Sequence, residues 1–249
     1  MIKKKIAIWR GIYKNFKSTG YKSTNHHFYS NEYLKIAKKK FNNSVSKGQN
    51  LSLLNLLLIL IKNRSINVLD FGGGIGESIA RLNIDLIYKK KINFFLFDNK
   101  KLITQKSYYL KKIFKNSECK IKFVDSFTNI KSKFDIVLFA SVVQYIEKKN
   151  LDKFICEISK KHTKYIIFED LFLSKKSFVS LQKFYSHHEI PFKFYTKTEL
   201  FNILKKYNYS PLFYDDRQPS SSTNNFYSMN NFPKEYRIER SKNAVFIRI

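Results

Sequence analysis

Asp70-Phe71-Gly72-Gly73-Gly74-Ile75-Gly76 is the stretch that decides the fold. It follows the apolar, strand-like segment Ile66 to Leu69 and precedes Glu77-Ser78-Ile79-Ala80-Arg81-Leu82, which reads as the start of a helix. A strand, a glycine turn and a helix mark a place where backbone meets a small ligand at close range, because glycine reaches positive φ and carries no Cβ to hold the ligand off. The spacing separates two chemistries. A dinucleotide turn wants G-x-G-x-x-G, which from Gly72 needs glycine at position 77, where Glu77 stands. The pattern that fits is acid-x-G-x-G-x-G on Asp70, Gly72, Gly74 and Gly76. A phosphate-gripping P-loop is excluded, since no Gly-Lys-Ser/Thr follows. The plain alternative is a glycine-rich turn of an unrelated α/β domain.

Outward from this turn, apolar, β-branched and aromatic runs recur at Ile66–Phe71, Asn93–Asp98, Cys119–Asp125, Phe134–Ala140 and Tyr165–Asp170. Helical patterns lie between them, the clearest being the i, i+3, i+4, i+7 stripe of Leu151, Phe154, Ile155 and Ile158. Strands alternating with helices predict a parallel sheet covered on both faces. Asp70, Asp98 and Asp125 stand where successive strands end, and in an open α/β sheet ligands bind beyond those ends. A lone acid there usually caps a turn; three on successive strands point to one rim. After the fifth strand, Thr196-Lys197-Thr198-Glu199 is a capping box opening a helix through Leu200, Ile203 and Leu204, with Asn208 as its left-handed stop. Pro211–Tyr214 and Ala244–Ile249 read as two further strands, expected to include an antiparallel pair. Arg217 to Pro233 reads as a long loop or lid. Residues 1–50 read as an N-terminal cap on a single domain spanning 51–249.

The chain of 249 residues has a formal charge of +28 and 43% hydrophobic residues, enough for a sizeable core. Such a charge suits an anionic partner: nucleic acid, an acidic membrane surface bound peripherally, or a phosphorylated substrate. Abundant Lys, Asn, Ile, Phe and Tyr with scarce Gly, Pro and Ala also fit the mutational bias of an AT-rich genome. Arg, the better residue for bidentate phosphate contacts, is rare. Cys119 and Cys156 form no metal-ligand pattern and suggest a reducing compartment. No apolar h-region follows the basic start, and Leu51 to Ile61 is too short to span a bilayer, so a buried helix and a cytoplasmic protein are expected.

The acid-x-G-x-G-x-G turn resembles motif I of the class I S-adenosylmethionine (SAM) methyltransferases, and the likeness extends along the chain. The resemblance implies a Rossmann-like fold with a seven-stranded, mostly parallel sheet, and SAM as cofactor. It implies that Asp70, Phe71, Gly72, Gly73, Gly74 and Gly76 form the turn beside the methionine part and ribose. Asp98, with Asn99, falls where the family's acid binds the ribose hydroxyls, and Asp125-Ser126 where a group lies near the adenine amine. Phe134 to Ser141 resembles motif IV, which puts Ala140 and Ser141 on the cofactor. Val142 to Ile146 resembles the helix flooring the site, with Gln144 and Tyr145 toward the acceptor. Ile8 to Tyr13, Gly20-Tyr21, the "DFGGG" turn, Ser180-Leu181-Gln182 and Pro191 to Phe194 resemble methyltransferases of bacterial surface-polysaccharide gene clusters. Asn208-Tyr209, where that group tends to have Gly-Tyr, and Glu169-Asp170, where it has a basic residue nearby, depart from its pattern.

The expected reaction is therefore methyl transfer, to a saccharide or other small-molecule precursor of a surface glycan. A hydroxyl acceptor needs a base, and the candidates are His187, His188, Glu169 and Asp170, with His26-His27 weaker. Either of His187 and His188 also reads as part of a solvated loop pair, and Glu169 as a structural partner of a lysine. Trp9 and Tyr21 would stack on a sugar ring or pack the cap, packing being favoured for Trp9. Two other functions stand beside this one. RNA methylation suits the charge, whereas DNA base methylation is disfavoured. Phe139-Ala140-Ser141-Val142 replaces the Asn/Asp-Pro-Pro-aromatic motif that holds a flipped adenine, and neither cysteine follows a proline. A non-catalytic SAM-binding protein of a glycan assembly complex is the other.

Overall fold

In parallel sheets both faces are covered, so their strands are apolar almost throughout. Ser65–Phe71 (β2), Lys91–Phe97 (β3), Ile136–Ala140 (β5) and Tyr165–Leu171 (β6) form such strands, with Lys120–Val124 (β4) as a more exposed edge, and every bound lies within two residues of its sequence expectation. The computed structural model describes residues 8–21, 35, 39, 53–62, 65–82, 90–98, 118–127, 130, 132–184, 188–216, 229–238 and 241–249. Tyr209–Asp216 (β9) and Lys242–Arg248 (β10) complete a seven-stranded sheet in the order β4-β3-β2-β5-β6-β10-β9. Strands β2 to β6 pair in parallel; β10 runs antiparallel to both β6 and β9.

Alternation along these strands divides the core in two. Helices Leu53–Leu60 (α1) and Glu77–Ala80 (α2) cover one face, packing Leu54, Leu58 and Ile79 on Val68, Phe94, Leu138 and Ile167. Helices Lys148–Lys160 (α3) and Lys197–Lys205 (α4) cover the other, packing Leu151, Ile155 and Leu200 on Leu69, Val137, Phe168 and Phe246. Thr196 caps α4 by accepting the Glu199 N–H at 3.0 Å, and Asn208 takes φ 63° just beyond its end. The Glu199 carboxylate does not close the reciprocal half of a capping box. It accepts from Ser177 Oγ at 2.8 Å and pairs with Lys148 at 3.6 Å. Among the described residues no helix is long and apolar enough to cross a membrane.

A second sheet departs from the sequence reading. Trp9–Tyr13 (β1), Phe178–Phe184 (β7) and His188–Phe194 (β8) form an antiparallel sheet in the order β1-β7-β8. Strand β1 from the expected N-terminal cap thus shares a sheet with a hairpin inserted between β6 and α4. Pro191 sits on an edge strand, where its missing N–H is tolerated. The buried face of this sheet carries Trp9, Phe178, Phe192 and Phe194, and Tyr145 packs against it. Met229 and Phe232 are buried there too, so the loop expected over 217–233 is anchored at its end; residues 217–228 lie outside the described residues.

Candidate functional site

The chain runs from β2 outward to β4, then returns to place β5 on the other side of β2. That reversal opens a crevice at the carboxyl ends of β2 and β5, the place where open α/β sheets bind ligands. The glycine turn lies on it. Gly72, Gly74 and Gly76 take φ 68°, 54° and 86°, values that glycine adopts without a Cβ penalty. Gly72 N–H donates to Phe97 O at 2.8 Å and Gly76 N–H to Gly73 O at 2.7 Å, which fixes the turn to β3 and to itself. Gly74 N–H donates to Asp98 Oδ2 at 2.9 Å, so the acid closing β3 reaches across to the turn.

Space around the three consecutive glycines differs. A Cβ on Gly72 would stand 2.5 Å from Val142 Cγ2, and one on Gly73 2.6 Å from Leu96 Cδ2 and 2.7 Å from Asp70 Oδ2. A Cβ on Gly74 would meet nothing within 4 Å. The turn is therefore packed against protein at its base and open at its tip.

The other expected cofactor residues divide by where their side chains go. Asp70 is buried, 1% exposed, inside β2 rather than beyond it. Phe71 is turned into the core, stacked on Phe97 with centroids 4.9 Å apart and edge-on to Phe154 at 4.5 Å. Its ring packs in the core, so what Phe71 offers the turn is backbone. Asp125 is exposed and Ser126 half-buried, just past β4 on the same rim, two strands from β2. Ala140 ends β5 and Ser141 follows it. Asn99 lies outside the described residues.

The expected acceptor residues are partly engaged elsewhere. Trp9 is 2% exposed and meets Phe192 and Phe194 edge-on, at 4.7 and 5.1 Å. It packs and offers no open face for a sugar. Tyr21 is half-buried, and burial raises its phenol pKa. Gln144 is buried, and Tyr145 O–H donates to Gln182 Oε1 at 2.9 Å, tying the turn after β5 to the second sheet. Glu169 Oε1 accepts the Leu53 N–H at 3.1 Å, at the start of α1, the favoured place for an acid on a helix. His188 sits in β8 opposite Phe184, with its side chain outside the description; His187, His26 and His27 lie outside the described residues.

Strain marks a group that sequence reasoning singled out only weakly. Among the described residues four non-glycines have positive φ: Ser141, His162, Asp170 and Asn208. His162 and Asn208 follow the ends of α3 and α4, where such residues stop helices. Ser141 (φ 53°) and Asp170 (φ 58°) stop no helix, and each conformation costs on the order of 1–2 kcal/mol. They touch: Ser141 O–H donates to Asp170 Oδ2 at 2.7 Å. Between Phe168↔Ala244 and Leu171↔Lys242, Glu169 and Asp170 together oppose Asn243, a β-bulge. Asp170 N–H donates to Asn243 Oδ1, and Ser241 O–H to Asp170 Oδ1, both at 3.2 Å. Ser241 and Asn243 carried no sequence signal, because a residue some seventy positions away brings them to the rim.

A separate cavity of about 660 Å³ lies between Phe16, the starts of α3 and α4, and Lys193. None of the glycine-turn residues lines it.

No protein-family model matches the chain, and no curated protein matches it in sequence. Solved structures do match. Magnesium protoporphyrin IX methyltransferase from Synechocystis PCC 6803 with bound SAH superposes with TM-score 0.54 at 12% identity, over 88% of this chain and 97% of that one. A SAM-dependent methyltransferase from Methanosarcina mazei gives TM-score 0.54 at 13% identity, over 80% and 99%. A SAM-dependent methyltransferase from Clostridium acetobutylicum ATCC 824 gives 0.53 at 14%, over 88% and 99%. At these identities the likeness is one of architecture: the chain has the Rossmann-like fold of class I SAM-dependent methyltransferases.

Proposed function

We propose that the chain is a SAM-dependent methyltransferase that methylates an oxygen of a saccharide or small-molecule precursor of a surface glycan. The observation that carries the methyl-transfer part is the tip of the glycine turn. Gly74 has room where a Cβ would stand, and its N–H is tied to the Asp98 carboxylate just past β3, the strand beside β2. A side-chain-free strip beside a carboxylate suits a ligand with a flat sugar and vicinal hydroxyls, since a carboxylate accepts from both hydroxyls. Gly72 to Gly76 and Asp98, with Asn99, would hold the methionine part and ribose; Asp125, Ser126, Ala140 and Ser141 would border the rest. SAM supplies an electrophilic methyl on a sulfonium. The chain's task is to hold the acceptor in line with it, and such positioning contributes on the order of 7–11 kcal/mol. Gln144 and Tyr145 would floor the acceptor side, and the base for an acceptor hydroxyl would come from the candidates His187, His188, Glu169 and Asp170. Two solved neighbours add support, one with bound SAM and one a glycopeptide N-methyltransferase complexed with SAM.

Titration calorimetry with SAM and SAH tests this reading. Saturable one-to-one binding of both is expected; absence of heat with either refutes it. The charge of +28 favours RNA as a rival acceptor. Filter binding of total tRNA across a salt series separates the two, because a real RNA site loses affinity steeply with salt. Methylation of that RNA by the chain would replace the saccharide reading.

A further inference from the structure

Resting on the methyl-transfer reading, we propose that Asp170, clamped between the hydroxyls of Ser141 and Ser241, is the base that takes the proton from an acceptor hydroxyl.

Place is the first argument. Asp170 stands at the carboxyl end of β6, level with Ser141 beyond β5. Strand β5 is the neighbour of β2, so the carboxylate lies two strands, about 10 Å, from the strand that carries the glycine turn. The rim is thereby divided. Strands β2, β3 and β4 end in the glycine turn, Asp98 and Asp125; strands β5 and β6 end in Ser141 and Asp170. An acceptor facing the first group would lie over the second.

Backbone conformation is the second argument. Asp170 and Ser141 hold left-handed backbone without ending a helix, whereas the two remaining such non-glycines among the described residues, His162 and Asn208, are accounted for by helix ends. The bulge sets Asp170 apart from Glu169. Glu169 turns to Leu53 at α1, whereas Asp170 turns to Ser141 and Ser241. Bulges are used to re-aim side chains beside active sites, and strained non-glycines gather there.

Chemistry is the third. Two serine O–H donors aimed at the two carboxylate oxygens hold the group oriented, and a carboxylate has lone pairs left to accept a further proton. As the acceptor oxygen forms its bond to the methyl carbon, the carbon–sulfur bond breaks and its electron pair stays on sulfur. The oxygen becomes acidic during that transfer, and its proton passes to the Asp170 carboxylate. Charge is conserved: the sulfonium becomes a neutral thioether and the carboxylate a neutral acid. The reading commits the acceptor to a hydroxyl.

Asp170→Asn and Asp170→Gly test it, since both replacements tolerate positive φ. Melting temperature, SAM affinity by calorimetry and turnover with labelled SAM on a panel of free hexoses and nucleoside-diphosphate hexoses are compared with the wild type. The expected result is a melting temperature unchanged or raised, a SAM Kd within about twofold, and kcat lowered about 10²–10⁴-fold in both variants. Turnover within about threefold of wild type overturns the assignment. So does a loss of SAM affinity matching the loss of turnover, which would make Asp170 a cofactor group. Binding of SAM by the wild type without methylation of any sugar on the panel overturns the hydroxyl assignment. Failure of the wild type to bind SAM at all defeats the methyl-transfer reading itself, and this one with it.

Discussion

Alanine at Gly72, Gly73 and Gly74 in turn should separate what the glycine turn does for the fold from what it does for a ligand. At Gly72 the added methyl would stand 2.5 Å from Val142 Cγ2 on a backbone with φ 68°. The conformation and the overpacking together should cost about 2–5 kcal/mol. At Gly73 φ is ordinary, but the methyl would press on Leu96 and Asp70, both buried, at about 1–3 kcal/mol. At Gly74 the methyl would meet no protein atom within 4 Å, so only the φ of 54° is penalised, at about 1–2 kcal/mol. For a chain of this size these values translate to about 2–4 °C of melting temperature per kcal/mol. Gly72→Ala should therefore lower the midpoint most and Gly74→Ala by no more than about 8 °C. The order for SAM affinity should not follow the order for stability. The Gly74 methyl projects into the space assigned to the ligand, so this mild variant should weaken SAM binding by roughly 5–150-fold, an overpacking penalty moved from fold to complex. Thermal melting and calorimetry on the same preparations give both numbers. A Gly74→Ala protein that binds SAM as the wild type does would refute the reasoning.

Two further outcomes follow from the same geometry. Thr196→Ala removes the acceptor for the Glu199 N–H and should cost about 1 kcal/mol, read as a drop of about 2–4 °C in melting temperature. Tyr209 donates to Thr163 O at 2.9 Å, and burial pushes its phenol from 10.0 up to about 12. A pKa raised in the folded state gives stability that is whole below pH 10 and drains away as pH rises toward about 12. Urea unfolding of wild type and Tyr209→Phe at about pH 9 and about pH 11.5 should show the wild type losing more stability across that interval than the variant.

Much of the large sheet was legible because its physics is local. Strands buried on both faces need apolar residues at nearly every position, so Lys91–Phe97 and Tyr165–Leu171 announce themselves. The turn was legible because only glycine serves at its repeated positive φ, and Asn208 because a helix stop needs the left-handed region. The second sheet was not legible. Its buried face mixes Ser180 and Gln182 with aromatics, and these polar groups are satisfied by Arg10 O and Tyr145 O–H from distant parts of the chain. Pro191 further disguises β8. The direction of the Phe71 ring was not legible for a related reason: a residue at a strand end faces either ligand or core, and which one depends on Phe154, some eighty positions away in α3. The clamp around Asp170 was hidden similarly, because the bulge exists only through the register of β10 against β6.

The central claim is that the glycine turn after β2 and Asp98 after β3 hold one molecule of SAM between them. A crystal structure of the chain grown with SAM tests it most directly. The account predicts the ribose hydroxyls on the Asp98 carboxylate and the methionine part running along Gly72 to Gly76. SAM bound away from that turn, or a turn filled by the protein's own side chains, would contradict it.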